Sequence, residues 1–149
     1  MNALKTFDDR LAGLLANLSP QSRKQLAADI AKKLRASQQQ RIKRQQAPDG
    51  SPYAARKAQP TRHKKGRIKR EMFAKLRTAR YMKANSSPDA AVVEFTGRVQ
   101  RMAAVHHFGL RDRPNVHSKD VQYDERPLLG FTKIERHEIE KTIYDYLNK

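Results

Sequence analysis

Seventeen of the chain's 32 lysines and arginines fall between Lys32 and Arg80, a stretch that holds only two carboxylates, Asp49 and Glu71. This stretch carries +15 of the formal net charge of +17, and the sequence on either side of it is almost neutral. A block of like charge repels itself as the chain compacts, so it needs opposite charge or a partner to face. Within it, Arg56, Lys57, Arg62, Lys64, Lys65, Arg67, Lys69 and Arg70 are eight cations with no anion among them, interrupted by Pro60 and Gly66. With almost nothing apolar to bury, this part is expected to be a basic loop that is mobile or ordered by a partner. Phosphates and acidic protein surfaces are the anions it would attract. Tyr53 is the only aromatic residue between Phe7 and Phe73, so bases have no stacking platform there, and nucleic acid would be met through its phosphates without sequence readout.

The remaining composition narrows the classes further. At 149 residues, 38% of them hydrophobic and none of them Trp, the chain has room for one domain with a modest core, or for a smaller domain with an extension. The absence of cysteine removes disulfides, thiolate metal sites and thiol nucleophiles together. No run approaches the roughly 20 apolar residues of a membrane-spanning helix, and the N-terminus lacks the pattern of a signal peptide. The expectation is a protein made in the cytoplasm, with no membrane partner.

Periodicity sets out the elements. Leu4, Phe7, Leu11, Leu14, Leu15 and Leu18 follow steps of three and four and predict a short amphipathic helix. Ser19 before Pro20 reads as an N-cap followed by proline at the first helical position. From there Leu26, Ile30 and Leu34 continue a second helical stripe, with Asp29 spaced to pair with Lys33. Beyond Leu34 the stripe thins to Ile42 among Gln and Arg, which predicts that the far half of this helix is solvated or bound elsewhere. The two helices either fold back on each other or present leucines to a neighbouring subunit, and Leu4, Phe7, Leu11 and Leu14 are the candidate subunit contact.

Pro48, Asp49, Gly50, Ser51 and Pro52 predict a tight turn, with Tyr53 as its aromatic anchor. Ile68, Met72, Phe73 and Leu76 return to helical spacing up to about Thr78. A β-hairpin is expected next, from Tyr81 to Ala84 and from Ala91 to Phe95, with Glu94 on the face opposite Val93 and Phe95. Val99 to His107 reads as a short helix closed by Gly109 in the left-handed region. Leu110 to Asp120 reads as a loop, and Val121 to Tyr123 as a short strand. Thr132 and Glu135 match a capping box before a terminal helix whose apolar face is Ile139, Ile143, Tyr146 and Leu147. The sum is an α+β fold, helices packed on a small antiparallel sheet. Residues 1–46 form an N-terminal helical region, 47–71 the turn and basic loop, and 72–149 the α+β core.

Catalytic patterns fail on spacing. His137-Glu138 begins like a zinc-protease helix, but the second ligand would stand at position 141, which is Lys. Pro88-Asp89 with Glu94 has two carboxylates of a metal-dependent nuclease pattern, yet the lysine expected two residues after the Glu is Thr96. His106 and His107 are adjacent on a helix and face different directions, which suits one core or capping histidine and one exposed histidine better than a metal pair. No glycine pattern for phosphate binding and no serine elbow is present. The expectation is a protein without catalytic residues, metal or cofactor.

An ordered series of short motifs adds a resemblance. After a helix rich in Gln and Arg come Ala47-Pro48-Asp49-Gly50-Ser51-Pro52-Tyr53, the basic stretch, Met72-Phe73-Ala74-Lys75-Leu76 and Phe95-Thr96-Gly97. His106-His107-Phe108-Gly109 and Arg126-Pro127-Leu128-Leu129-Gly130 complete it. From about residue 20 to the C-terminus this series resembles the phage virion morphogenesis family; Tyr53 departs from it, since many relatives carry Trp there. The resemblance implies a structural virion protein that acts late in assembly at the head-proximal end of the tail. It further implies a homo-oligomeric ring, commonly hexameric, with tail and neck proteins as partners, and incidental DNA contact is compatible with it. Two other readings share the charge and composition: a basic nucleic-acid-binding protein of ribosomal or nucleoid type, and an assembly chaperone that leaves before the particle is finished.

Overall fold

The computed structural model describes residues 3–56 and 71–148, with the side chains of residues 3–8 and 11 outside the description. The elements follow in the order α1 (Ala3–Ala16), α2 (Pro20–Lys43), β1 (Met82–Ser86), β2 (Ala91–Phe95), α3 (Gln100–Phe108), β3 (Arg111–Asp112), β4 (Val121–Gln122) and α4 (Lys133–Leu147). The fold is α+β, as the periodicities predict, but the described strands form two antiparallel ribbons of two strands each instead of one sheet. The chain divides into two compact units. The first holds Met1–Arg35, Ala84–Glu94 and Lys133–Lys149, and the second Ala36–Lys83 and Phe95–Thr132.

In the first unit, α2 begins where the sequence says it should. Ser19 Oγ accepts the amide N–H of Ser22 at 3.1 Å and Ser19 O accepts that of Arg23 at 2.9 Å, so two of the helix's orphan donors are met beside Pro20. Leu26, Ala27, Ala31 and Leu34 are buried on one face of α2, with Ile143 of α4 also in the core. Asp29 and Lys33 do not pair as their spacing suggests; each reaches α4. Asp29 accepts the hydroxyl of Tyr146, and Lys33 Nζ donates to Thr142 Oγ1 at 2.9 Å. The hairpin tip is a serine turn in which Ser87 Oγ accepts the amides of Asp89 and Ala90 at 3.2 and 3.1 Å. An open groove of about 290 Å³ remains in this unit, lined by Leu15, Leu26, Ile30, Ala91 and Ile143, with Arg23 and Asp89 paired 3.9 Å apart at its edge.

Of the two expectations for the far half of α2, solvated or bound elsewhere, the second unit excludes the first. Gln38 and Arg41 are as deeply buried as the apolar residues around them, and Ile42 is fully buried. These polar side chains extend the stripe Leu34, Gln38, Arg41, Ile42 at helical spacing, so the face is a core face, on which Gln38 Oε1 and Arg41 Nη2 reach the backbone of Gly130. The helix expected around Met72 to Thr78 is instead a run of turns, in which Met72 and Leu76 are buried while Phe73 takes φ 66°. The apolar spacing is therefore a pattern of burial without the backbone of a helix. Val93 and Phe95 do alternate with exposed Val92 and Glu94 along β2. Gly109 closes α3 at φ 66° and ψ 55°, its amide bonded to Val105 O. Part of the loop predicted from Leu110 to Asp120 is strand, because Arg111 pairs with Gln122 and Asp112 with Val121. Replacing the cap by Ser19→Ala should lower stability by about 1 kcal/mol, read from urea unfolding followed by circular dichroism.

Candidate assembly surface

The motifs of the ordered series meet in the second unit, and side chain to backbone bonds hold them there. Gln38 Oε1 accepts the amide of Gly130 at 3.0 Å and also a proton from Arg41 Nη2, while Arg41 Nη2 lies 3.4 Å from Gly130 O. Gln39 Nε2 donates to Arg77 O at 2.9 Å. At the end of α2, Gln45 bonds Met72 twice, its Nε2 donating to Met72 O and its Oε1 accepting Met72 N–H, both at 2.9 Å. In this way α2 meets the backbone needs of segments that have no ladder of their own.

The turn after α2 is built by local chemistry. Ala47 N–H donates to Ser51 O and Gly50 N–H to Ala47 O, both at 2.9 Å, and Gly50 takes φ 88°. Asp49 Oδ1 accepts both the amide and the hydroxyl of Ser51, which hold its carboxyl below the usual carboxylate range. Pro48 packs against Gly130 so closely that a Cβ added at Gly130 would stand 2.5 Å from Pro48 Cγ. Tyr53 is buried, its hydroxyl donates to Pro127 O at 2.8 Å, and burial pushes its pKa up to about 12 despite the nearby Arg41 charge. It stays a donor throughout the physiological range.

Arg126 holds the start of the basic segment. It is 7% exposed, and its Nε and Nη2 donate to the carbonyls of Ala54 and Ala55 at 2.9 and 3.2 Å, with Asp124 Oδ2 3.5 Å away. A chain of edge-on ring contacts runs from Tyr53 to Phe73, His106 and Tyr123, with centroids 5.8, 5.1 and 4.9 Å apart. Neither histidine of the 106–107 pair is exposed, contrary to the expectation that one would be. His106 lies in this ring chain, and His107 Nδ1 accepts the amide of Leu128 at 3.1 Å. Burial depresses the His106 pKa, helped by the charges of Arg126 and Arg56, and burial likewise depresses His107, with Glu125 opposing. No group of three metal-ligating side chains occurs among the described residues, and no described helix is long and apolar enough to cross a membrane.

The residues singled out in the sequence are therefore placed unevenly. Pro48, Asp49, Gly50 and Tyr53 come together with the Arg126–Gly130 motif. Arg56 is exposed where the basic segment begins, whereas Lys57, Arg62, Lys64, Lys65, Arg67, Lys69 and Arg70 lie outside the described residues. In α1, Leu14 is 50% exposed, and the side chains of Leu4, Phe7 and Leu11 lie outside the description. Gln38, Arg41 and Gln45 escaped the sequence reading, and Arg126 stood out there only as part of its motif, without its bonds to Ala54 and Ala55. The available signal for Gln38 and Arg41 was their registry with Leu34 and Ile42 on one helix face; Gln45 lies past the end of α2 at Lys43 and had no such signal.

The motifs of this chain thus pin loops on a helical scaffold. The phage virion morphogenesis family matches residues 2–148, and the chain belongs to that family. It is 47% identical over 150 residues to the tail completion protein S of Escherichia phage P2, with 100% of both chains covered. No solved structure matches the chain.

The depressed histidines give a pH test with a definite sign. Their unfolded forms take up protons near 6.5 and the folded forms only at lower pH, so their contribution is complete above 6.5 and is lost as pH falls through the folded-state values. Urea midpoints should drop on acidification below 6.5, and the drop should shrink in His106→Phe.

Proposed function

We propose that this protein is a structural component of a phage tail that completes the head-proximal end and readies the tail for joining to the head. The observation that carries this reading is the full-length 47% identity to a protein named for tail completion. On this reading the protein turns over no substrate, works without metal or cofactor, and resides in the virion after synthesis in the host cytoplasm. Its partners are further copies of itself, in a ring of six, and the neighbouring tail and neck proteins.

Two surfaces would make these contacts. The α1 face of Leu4, Phe7, Leu11 and Leu14 serves as the contact between subunits; what supports it is the helical spacing and the half-exposed Leu14. The basic loop from Arg56 to Arg70 faces an anion. An acidic neighbouring protein suits it better than DNA in transit, because a passage lined with so much charge would grip phosphates and hinder movement. A DNA end held until ejection is the second candidate for that contact, and its phosphates would be met without sequence preference.

Leu14→Asp should leave helix content unchanged and block assembly of the ring, measured by circular dichroism and by light scattering after size separation. A variant that assembles normally removes α1 from the interface. Single exposed ion pairs are worth roughly 0–1 kcal/mol each, so only a cluster change tests the loop. Changing Arg62, Lys64, Lys65 and Arg67 together to Glu should leave the melting curve intact and yield tails that fail to join heads. Full particle yield would overturn the role of the loop. A failure to join heads, combined with DNA retardation equal to the parent's, would point to the protein partner.

A further inference from the structure

Two residues other than glycine hold positive φ among the described residues, Gln45 at 59° and Phe73 at 66°. The left-handed region just past a helix end is ordinarily given to Gly or Asn, and a bulky aromatic there is a genuine outlier. Such strain persists only where the surroundings over-determine it. Both residues sit at the base of the cation-rich segment, one at the end of α2 and the other just after Met72.

Gln45 is bonded on both sides of that segment. Its carbonyl accepts the amide of Tyr53 at 2.8 Å, which fixes the chain before the segment leaves. Its side-chain amide makes the two bonds to Met72, which fix the chain where it returns, and Nε2 also donates to Ile42 O at 2.8 Å, tying the arrangement to α2. Phe73 then turns its ring edge-on to Tyr53, so the residues before and after the segment touch each other as well. A residue chosen only to end a helix would be glycine, which takes φ of +59° without strain. Gln is a poor choice for the backbone there and a good one for reach.

We propose that Gln45 is a clasp, a positioning residue that fixes the separation of the two ends of the 54–71 segment. An acidic partner then meets the cations on a loop with a preset base, and less of the ordering cost falls on the binding step. The proposal rests on the reading that this segment contacts a partner.

The test uses the full chain, whose lack of cysteine allows spin labels at Ala54→Cys and Lys75→Cys without background. Electron–electron distance measurement should give one narrow distribution in the parent. Gln45→Gly relieves the strained φ but removes the clasp, and Gln45→Asn tolerates the same φ but is one methylene short of Met72. Both variants should keep a cooperative melt, broaden the distance distribution and lower the yield of joined particles by about tenfold or more. A distribution as narrow as the parent's in both variants would overturn the clasp. Broadening with full particle yield, in a system where the four-residue charge reversal abolishes joining, would overturn its functional role while leaving the loop's role standing. Loss of the cooperative melt in both variants would make Gln45 a plain stability residue, which equally overturns the proposal. Full yield from the charge reversal itself would instead count against the loop contact on which the proposal rests.

Discussion

Burial of amide and guanidinium groups along the last turns of α2 is the constraint on which the second unit depends. Segments such as 71–81 and 123–132 make few ladder bonds, so their N–H and C=O groups must find partners elsewhere or stay in water. Gln38, Gln39 and Arg41 supply those partners from α2 and Gln45 from just past its end, while Arg126 does the same for the carbonyls of Ala54 and Ala55. A buried polar group stripped of its partner costs on the order of 1–3 kcal/mol, so these side chains have to act together. The fold thus replaces a large apolar core, which the composition does not provide, with a smaller one stitched by side chain to backbone bonds.

The same constraint accounts for what could and could not be read from the residues in order. The cap at Ser19, the alternation of β2, the glycine that closes α3 and the terminal helix were legible, because each depends on neighbours within a few positions. The polar half of α2 was not, since Gln and Arg count as solvent-facing unless the backbone they will bond is known, and Gly130 lies far along the chain. The run from Met72 to Leu76 misled for a related reason. Its three- and four-residue spacing reflects burial of Met72 and Leu76 around a turn whose strained Phe73 no propensity favours.

The candidate site was legible as a set of motifs and not as a set of bonds. Pro48, Asp49, Gly50 and Tyr53 stand out in sequence, as does Arg126-Pro127-Leu128-Leu129-Gly130, but their meeting through Tyr53 with Pro127 and Pro48 with Gly130 is a fact of three dimensions. The family relationship and these contacts agree that the motifs are structural in kind. They hold the base of the charged segment in place at Ala54 and Ala55.

The Asp49-Gly50 step carries one more consequence, for chemical ageing. An aspartate followed by glycine is the sequence most prone to isomerise, because the glycine amide can attack the side-chain carboxyl and form a cyclic imide. Here Gly50 N–H is engaged by Ala47 O, and Asp49 Oδ1 is held by Ser51 on the far side of the turn. The carboxyl is also kept ionised, the form with the poorer leaving group. The hydrogen bonds that shape the turn therefore slow its decay, in a setting where a finished particle has no means of replacing a damaged subunit.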